Sequence, residues 1–128
     1  NGTLTGELLR VVNLIDVISM DIKLPSSTEC GDLWQAHEEF LRIGRHKEIF
    51  VKIVVTSETS EEEFIKACET VGKVDKNIPL VIQPVSSHKG FPDRDPSISK
   101  LISLQEIGLR FLTDVRIIPQ THKYLGLL

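Results

Sequence analysis

The chain is predicted to be an α/β protein: a parallel four-stranded half of a partial (β/α) barrel, with its helices on the outer face. Three observations lead there. Apolar helical stripes and short β-branched runs alternate, helix then strand, four times along the 128 residues. Such alternation builds a parallel sheet joined by right-handed crossovers. The first strand, within DVISMDIKLPSS (Asp16 to Ser27), alternates apolar and polar side chains, whereas a strand covered on both faces reads as a nearly unbroken apolar run. Finally, the repeat opens on a helix with no strand of its own before it, so a larger barrel with earlier strands is expected.

Length and composition bound the function classes. A chain of 128 residues with 41% apolar side chains is read as one domain, residues 1–128, able to bury a sizeable core. The formal net charge of −3 gives no electrostatic reason to expect nucleic acid or an anionic membrane as a partner. No apolar run approaches the roughly 20 residues of a membrane span and no signal peptide is visible, so a cytoplasmic location is expected. The two cysteines, Cys30 and Cys68, are too few and too far apart for a metal-ligand pattern. Cys68 lies on an apolar helical stripe and is expected to be buried; Cys30, beside Gly31, reads as an exposed loop thiol.

The elements follow in order. Leu4, Leu8, Val12 and Ile15 repeat at helical spacing. In the first strand Ile18, Met20, Ile22 and Leu24 share one face, and Ser19, Asp21 and Lys23 share the other. Pro25 has no N–H to donate and should stop the ladder. A helix is expected after an Asp32/Gln35 cap, with Leu33, His37, Phe40 and Gly44 on one face. IFVKIVVT, Ile49 to Thr56, reads as the second strand, with Lys52 on the polar side. Ser60 and Glu63 form a capping box ahead of a helix carrying Phe64, Cys68 and Val71. LVIQPV is the third strand, with Pro84 expected to end its pairing. A loop rich in Pro, Gly and Asp follows, then a helix with Leu101, Leu104, Gly108 and Phe111. DVRIIPQ, Asp114 to Gln120, is the fourth strand.

Asp21, Lys23, Lys52, Gln83 and Ser86 all map to strand carboxyl ends or the loops just after them. In α/β folds ligands bind at that end. One acid, two bases and an amide suit a polar ligand carrying a carboxylate, an amine and hydroxyls. A plain internal ion pair between Asp21 and a lysine is the alternative for the same residues. No dinucleotide fingerprint, P-loop, nucleophile elbow or zinc-protease motif is present.

The segments NGT, DVISMDIKLPSS, VKIVVT, LVIQPVS and DVRIIPQTHKYLG occur in this order. Together they resemble the carboxyl-terminal half of the 7-carboxy-7-deazaguanine synthases, radical S-adenosylmethionine enzymes of the queuosine and archaeosine pathway. The resemblance runs from Asn1 to the end, and QTHKYLG is its most specific part. It implies a ring contraction of 6-carboxy-5,6,7,8-tetrahydropterin with loss of ammonia, begun by a radical cleaved from S-adenosylmethionine on a 4Fe–4S cluster and assisted by Mg2+. It implies a small pterin substrate and a homodimer as well. By the same resemblance Asp21, Ile22 and Lys23, and Gln83, Pro84, Val85 and Ser86, correspond to S-adenosylmethionine contacts. His122 and the terminal carboxylate of Leu128 fall where the family touches the pterin, and a structural hydrogen bond is the other role open to His122.

The family's three cluster cysteines and its T-G-G-E-P stretch are missing here. Two cysteines cannot supply the three thiolates of such a cluster, so this stretch is expected to carry no catalytic residue and no metal ligand, and to be inactive alone. Two other classes share the pattern: a fragment of a radical-generating activase, which lacks the QTHKYLG ending, and a non-catalytic barrel remnant serving as a binding or dimerisation module.

Overall fold

The Val- and Ile-rich runs form four strands among the described residues: β1 (Val17–Ile22), β2 (Glu48–Val55), β3 (Leu80–Pro84) and β4 (Val115–Ile117). The computed structural model describes residues 17–24, 34–44, 48–85 and 94–119. Within them the helices are α1 (Trp34–Gly44), α2 (Glu61–Val74) and α3 (Ile98–Gly108). The strands lie in sequential order, β1-β2-β3-β4, and every neighbouring pair is parallel. That is the expected half-barrel order, with each crossover carrying a helix. The helix expected before β1 and the strand-stopping role of Pro25 lie outside the described residues.

The two-residue period of the strands divides the sheet into unlike faces. Ile18, Met20 and Ile22 of β1, Ile49, Val51, Ile53 and Val55 of β2, Leu80 and Ile82 of β3 and Val115 of β4 are all buried. They join Phe40 and Leu41 of α1, Phe64, Cys68 and Val71 of α2, and Leu104 and Ile107 of α3 in one core. α1 packs on α2, α2 on α3, and α3 on β4, so the helices form one layer on one side of the sheet. The alternate side chains, Ser19, Asp21, Phe50, Lys52, Val54, Val81, Gln83 and Arg116, remain partly or fully exposed.

Local chemistry fixes each helix. The Ser60 hydroxyl accepts from the Glu63 amide at 3.2 Å, and the Glu63 carboxylate accepts from the Ser60 amide at 2.7 Å, completing the predicted capping box. Three glutamates in the first turn of α2 face the positive end of its dipole. Ser97 caps α3 by accepting from the Lys100 amide. At α1 the Gln35 amide donates to Glu39 within the helix; Asp32, its expected capping partner, lies outside the described residues. Glu38 reaches Lys73 at 3.2 Å and Arg42 at 3.5 Å, tying α1 to α2.

Pro84 departs from expectation in an instructive way. It does not end the pairing of β3 with β2: Val55 and Pro84 are in register, and the Val85 amide donates to the Val55 carbonyl at 2.9 Å. The Leu80 amide, by contrast, points to Asp114 beside β4. Amides of successive strand residues alternate in direction, so the missing N–H of Pro84 falls on the β4 side. There the ladder ends at Ile82 and Ile117, with one further bond from the Ile118 amide to the Ile82 carbonyl. Proline thus terminates the β3–β4 pairing alone.

Two core positions generate measurable consequences. A Cβ on Gly108 would lie 3.1 and 3.2 Å from the two Cγ atoms of Val115 and 3.7 Å from Cys68 Sγ. Val115 is β-branched and stiff, so there is little room to yield. Gly108→Val should lower the unfolding free energy by about 1–3 kcal/mol in urea titration; unchanged stability would mean that α3 does not approach β4 this closely.

His37 is 1% exposed, stacks edge-on against Trp34 at 6.0 Å, and both its ring nitrogens lack a hydrogen-bond partner among the described residues. Burial pushes its pKa below the ordinary 6.5. As pH falls below about 6.5 the unfolded chain takes up the proton first, so stability must drop, levelling off once the folded pKa is passed. His37→Leu should flatten that acid limb between pH 7 and 5 in thermal melts. An unaltered slope would place the histidine in contact with solvent.

Candidate functional site

The parallel register brings polar side chains together on the face without helices. Asp21 of β1 pairs across to Lys52 of β2, which pairs with Val81 of β3 and then Arg116 of β4. Lys52 Nζ stands 3.5 Å from Asp21 Oδ1, with the side chains 32% and 35% exposed. One level nearer the carboxyl ends, Gln83 is the cross-strand partner of Val54. Asp21 and Gln83 lie two strands and one such level apart, about 12 Å between backbones at standard sheet spacings. They can therefore hold opposite ends of a nucleoside-sized ligand but cannot grip a single group.

The other sequence-predicted contacts separate by side chain. Lys23 is exposed just past the end of β1, and Val85 is half-buried just past the end of β3. The Ile22 side chain is 2% exposed in the core, and Pro84 is likewise buried in β3. Their side chains belong to the covered face, so only their backbones are available to a ligand. Ser86, His122 and Leu128 lie outside the described residues, as does Cys30.

The carboxyl end of β2 is braced by its own turn. The Thr56 amide donates to Thr59 Oγ1 at 2.9 Å, and the Glu58 amide donates to Thr56 Oγ1 at 3.1 Å. Lys100 of α3 donates through Nζ to the Ser57 carbonyl at 2.6 Å, and the Ser57 amide donates to the Arg94 carbonyl at 2.8 Å. The β2–α2 turn is thus bound to the approach of α3. At β4, Asp114 clamps Arg116 through two bonds of 2.9 and 3.0 Å, and this pair raises the arginine pKa.

A concavity of about 340 Å³ is lined by Glu48, Ile49, Phe50, Pro79, Val81, Arg116 and Ile118. It gathers residues from the amino ends of β2 and β3 together with Arg116 of β4 and Ile118 just after it, and none of Asp21, Lys23 and Gln83 lines it. Its mostly apolar wall matches the side-chain layers that fill a barrel interior, while ligand chemistry in such folds belongs to the opposite, carboxyl end. The polar residues at that end are therefore the candidate site.

The donor set tests which groups could be held. Among the described residues no three His, Cys, Asp or Glu side chains converge on a metal position. Cys68 is fully buried, and burial pushes its thiol up to about 12, so it offers no thiolate at neutral pH. These residues do not fit an iron–sulfur cluster or Mg2+. A carboxylate, a lysine and an amide at the carboxyl ends of β1 and β3 suit a polar ligand that carries an amine and hydroxyls.

Comparison with known proteins bears out the resemblance read from the sequence. The chain is 43% identical over 126 residues, 98% of its length, to a 7-carboxy-7-deazaguanine synthase of Geobacter sulfurreducens, of which it covers 50%. It is 29% identical over 146 aligned positions, 99% of its length, to a protein of the same name from Methanothermobacter thermautotrophicus, of which it covers 58%. The chain is homologous to these two synthases, and it spans about half the length of the curated relatives it matches. No protein-family model matches it, and no solved structure gives a significant match.

Proposed function

We propose that the chain is the carboxyl-terminal half of a 7-carboxy-7-deazaguanine synthase, converting 6-carboxy-5,6,7,8-tetrahydropterin to 7-carboxy-7-deazaguanine with loss of ammonia. The observation that carries this is the 43% identity sustained over 98% of the chain. The sheet supports it by presenting Asp21 and Gln83 on the face away from the described helices, near the carboxyl ends of β1 and β3.

In the whole enzyme, bound S-adenosylmethionine supplies the hydrogen-abstracting chemistry that starts the ring contraction. The residues of this chain bind and orient. The Asp21 carboxylate accepts from a hydroxyl or ammonium of the cofactor, and Lys23 supplies positive charge beside it. The Gln83 amide both donates and accepts, which suits the edge of a base. The backbones of Ile22, Pro84 and Val85, and Ser86 beyond them, complete the contacts. His122 and the carboxylate of Leu128 are assigned to the pterin, whose guanidine-like edge offers paired N–H donors to a carboxylate. The chain itself has two cysteines, too few for the cluster, so its residues are placed in binding and not in catalysis. A homodimer belongs to the same proposal; Ile98, Ile102 and Leu109 make an exposed apolar stripe along α3 that a second copy could cover.

The full gene product, reconstituted with iron and sulfide and given reductant, S-adenosylmethionine and the tetrahydropterin, should yield 7-carboxy-7-deazaguanine by mass spectrometry. The 128-residue chain alone should yield none. Lys23→Ala and Gln83→Ala in the full product should each weaken S-adenosylmethionine binding about two- to tenfold at unchanged melting temperature. Absence of product from the full protein would refute the proposed reaction, and unaltered affinity in both variants would refute the assigned contacts.

A further inference from the structure

Lys52 has no role in the ligand contacts proposed so far, yet it occupies the centre of the uncovered face. Its register partner is Asp21, and its Nζ stands 3.5 Å from the Asp21 carboxylate. Both side chains are about one-third exposed. A pair so open to water contributes little to stability, because solvent screens the attraction and two flexible side chains must be ordered. The core needs neither of them: it closes through Met20, Ile22, Val51 and Ile53 on the opposite face.

Position gives the pair a different use. An isolated aspartate on a sheet face can sample several rotamers. A lysine on the next strand, in direct register, draws one carboxylate oxygen sideways along the sheet. The second oxygen is then left to accept from whatever lies above the face. Val81, the next residue in the row, has nothing to offer Lys52, and Arg116 beyond it is held by Asp114. The row therefore has one carboxylate available for a ligand, and Lys52 is the group that orients it.

We propose that Lys52 is a positioning residue for cofactor binding: it fixes the Asp21 carboxylate so that its outer oxygen receives a hydroxyl or ammonium of S-adenosylmethionine. This rests on the proposal that Asp21 is a cofactor contact. It assigns Lys52 no contact with the ligand.

The test is calorimetric binding of S-adenosylmethionine to the full gene product, with melting temperature recorded for every variant. Lys52→Met should weaken binding about fivefold, a factor equivalent to about 1 kcal/mol, with no change in melting temperature. Lys52→Arg, which keeps the charge and the reach, should restore most of the affinity. The exchanged pair Asp21→Lys with Lys52→Asp keeps an ion pair on the sheet but moves the carboxylate one strand away, and it should not restore binding. Wild-type affinity in Lys52→Met, or recovery in the exchanged pair, would overturn the positioning role. Asp21→Asn separates the two levels: if it weakens binding while Lys52→Met does not, only the inference about Lys52 fails. If neither variant changes affinity, the assignment of Asp21 fails with it, and a wild-type protein that binds no S-adenosylmethionine overturns both.

Discussion

One constraint organises the molecule: successive side chains on a strand point to opposite faces, and the helices among the described residues cover only one of them. Because α1, α2 and α3 form a single layer, every second residue of each strand is committed to a dry core. Among the described residues the side chains between face away from that helical layer. On β1 this sets Met20 and Ile22 against the helices and Asp21 beside Lys52 of the next strand. A one-residue slip of β1 would bury Asp21 and expose Met20, so the apolar side that fixes the register also fixes where the polar groups stand. The site is a consequence of the core.

Pro84 shows how finely the same geometry acts. Amide direction alternates along a parallel strand just as side chains do. A proline at one position therefore frees the β4 side while leaving β2 paired through Val85. The end of β3 is thus held on one flank and open on the other, and Gln83 sits immediately before that opening. On β2 the Thr56–Thr59 turn and the bond from Lys100 to Ser57 hold the neighbouring strand end in place. The uncovered face is consequently supported at its carboxyl end by hydrogen bonds, while at its amino end Phe50 and Val81 line a largely apolar concavity.

Most of the fold was legible because its signals are local and periodic. The alternation in VISMDI, the capping box at Ser60 and Glu63, and the stripe through Phe64, Cys68 and Val71 each specify one element without outside help. The site was legible in outline, since Pro25 and Pro84 pointed to strand ends. Its pairings were not. Lys52 could be grouped with Asp21, but choosing Lys52 over Lys23 as its partner required the inter-strand register, which hairpin-free parallel sheets do not encode locally. That Ile22 and Pro84 turn their side chains into the core could have been read from the same period of two. The bidentate Asp114–Arg116 clamp depends on rotamers, and neither propensity nor pattern reports those. The position of the apolar concavity, along the amino ends of β2 and β3 and against β4, emerged only from packing.

The central claim is that the ligand sits at the carboxyl ends of β1 and β3, not in the apolar concavity at the amino ends of β2 and β3. Hydrogen–deuterium exchange on the full gene product, with and without S-adenosylmethionine, separates the two places directly. Protection confined to the segments around Ile22 to Leu24 and Gln83 to Val85, with no change around Glu48 to Phe50, is the result predicted here. Protection centred on Glu48 to Phe50 and Arg116 to Ile118, leaving the ends of β1 and β3 unchanged, would contradict it.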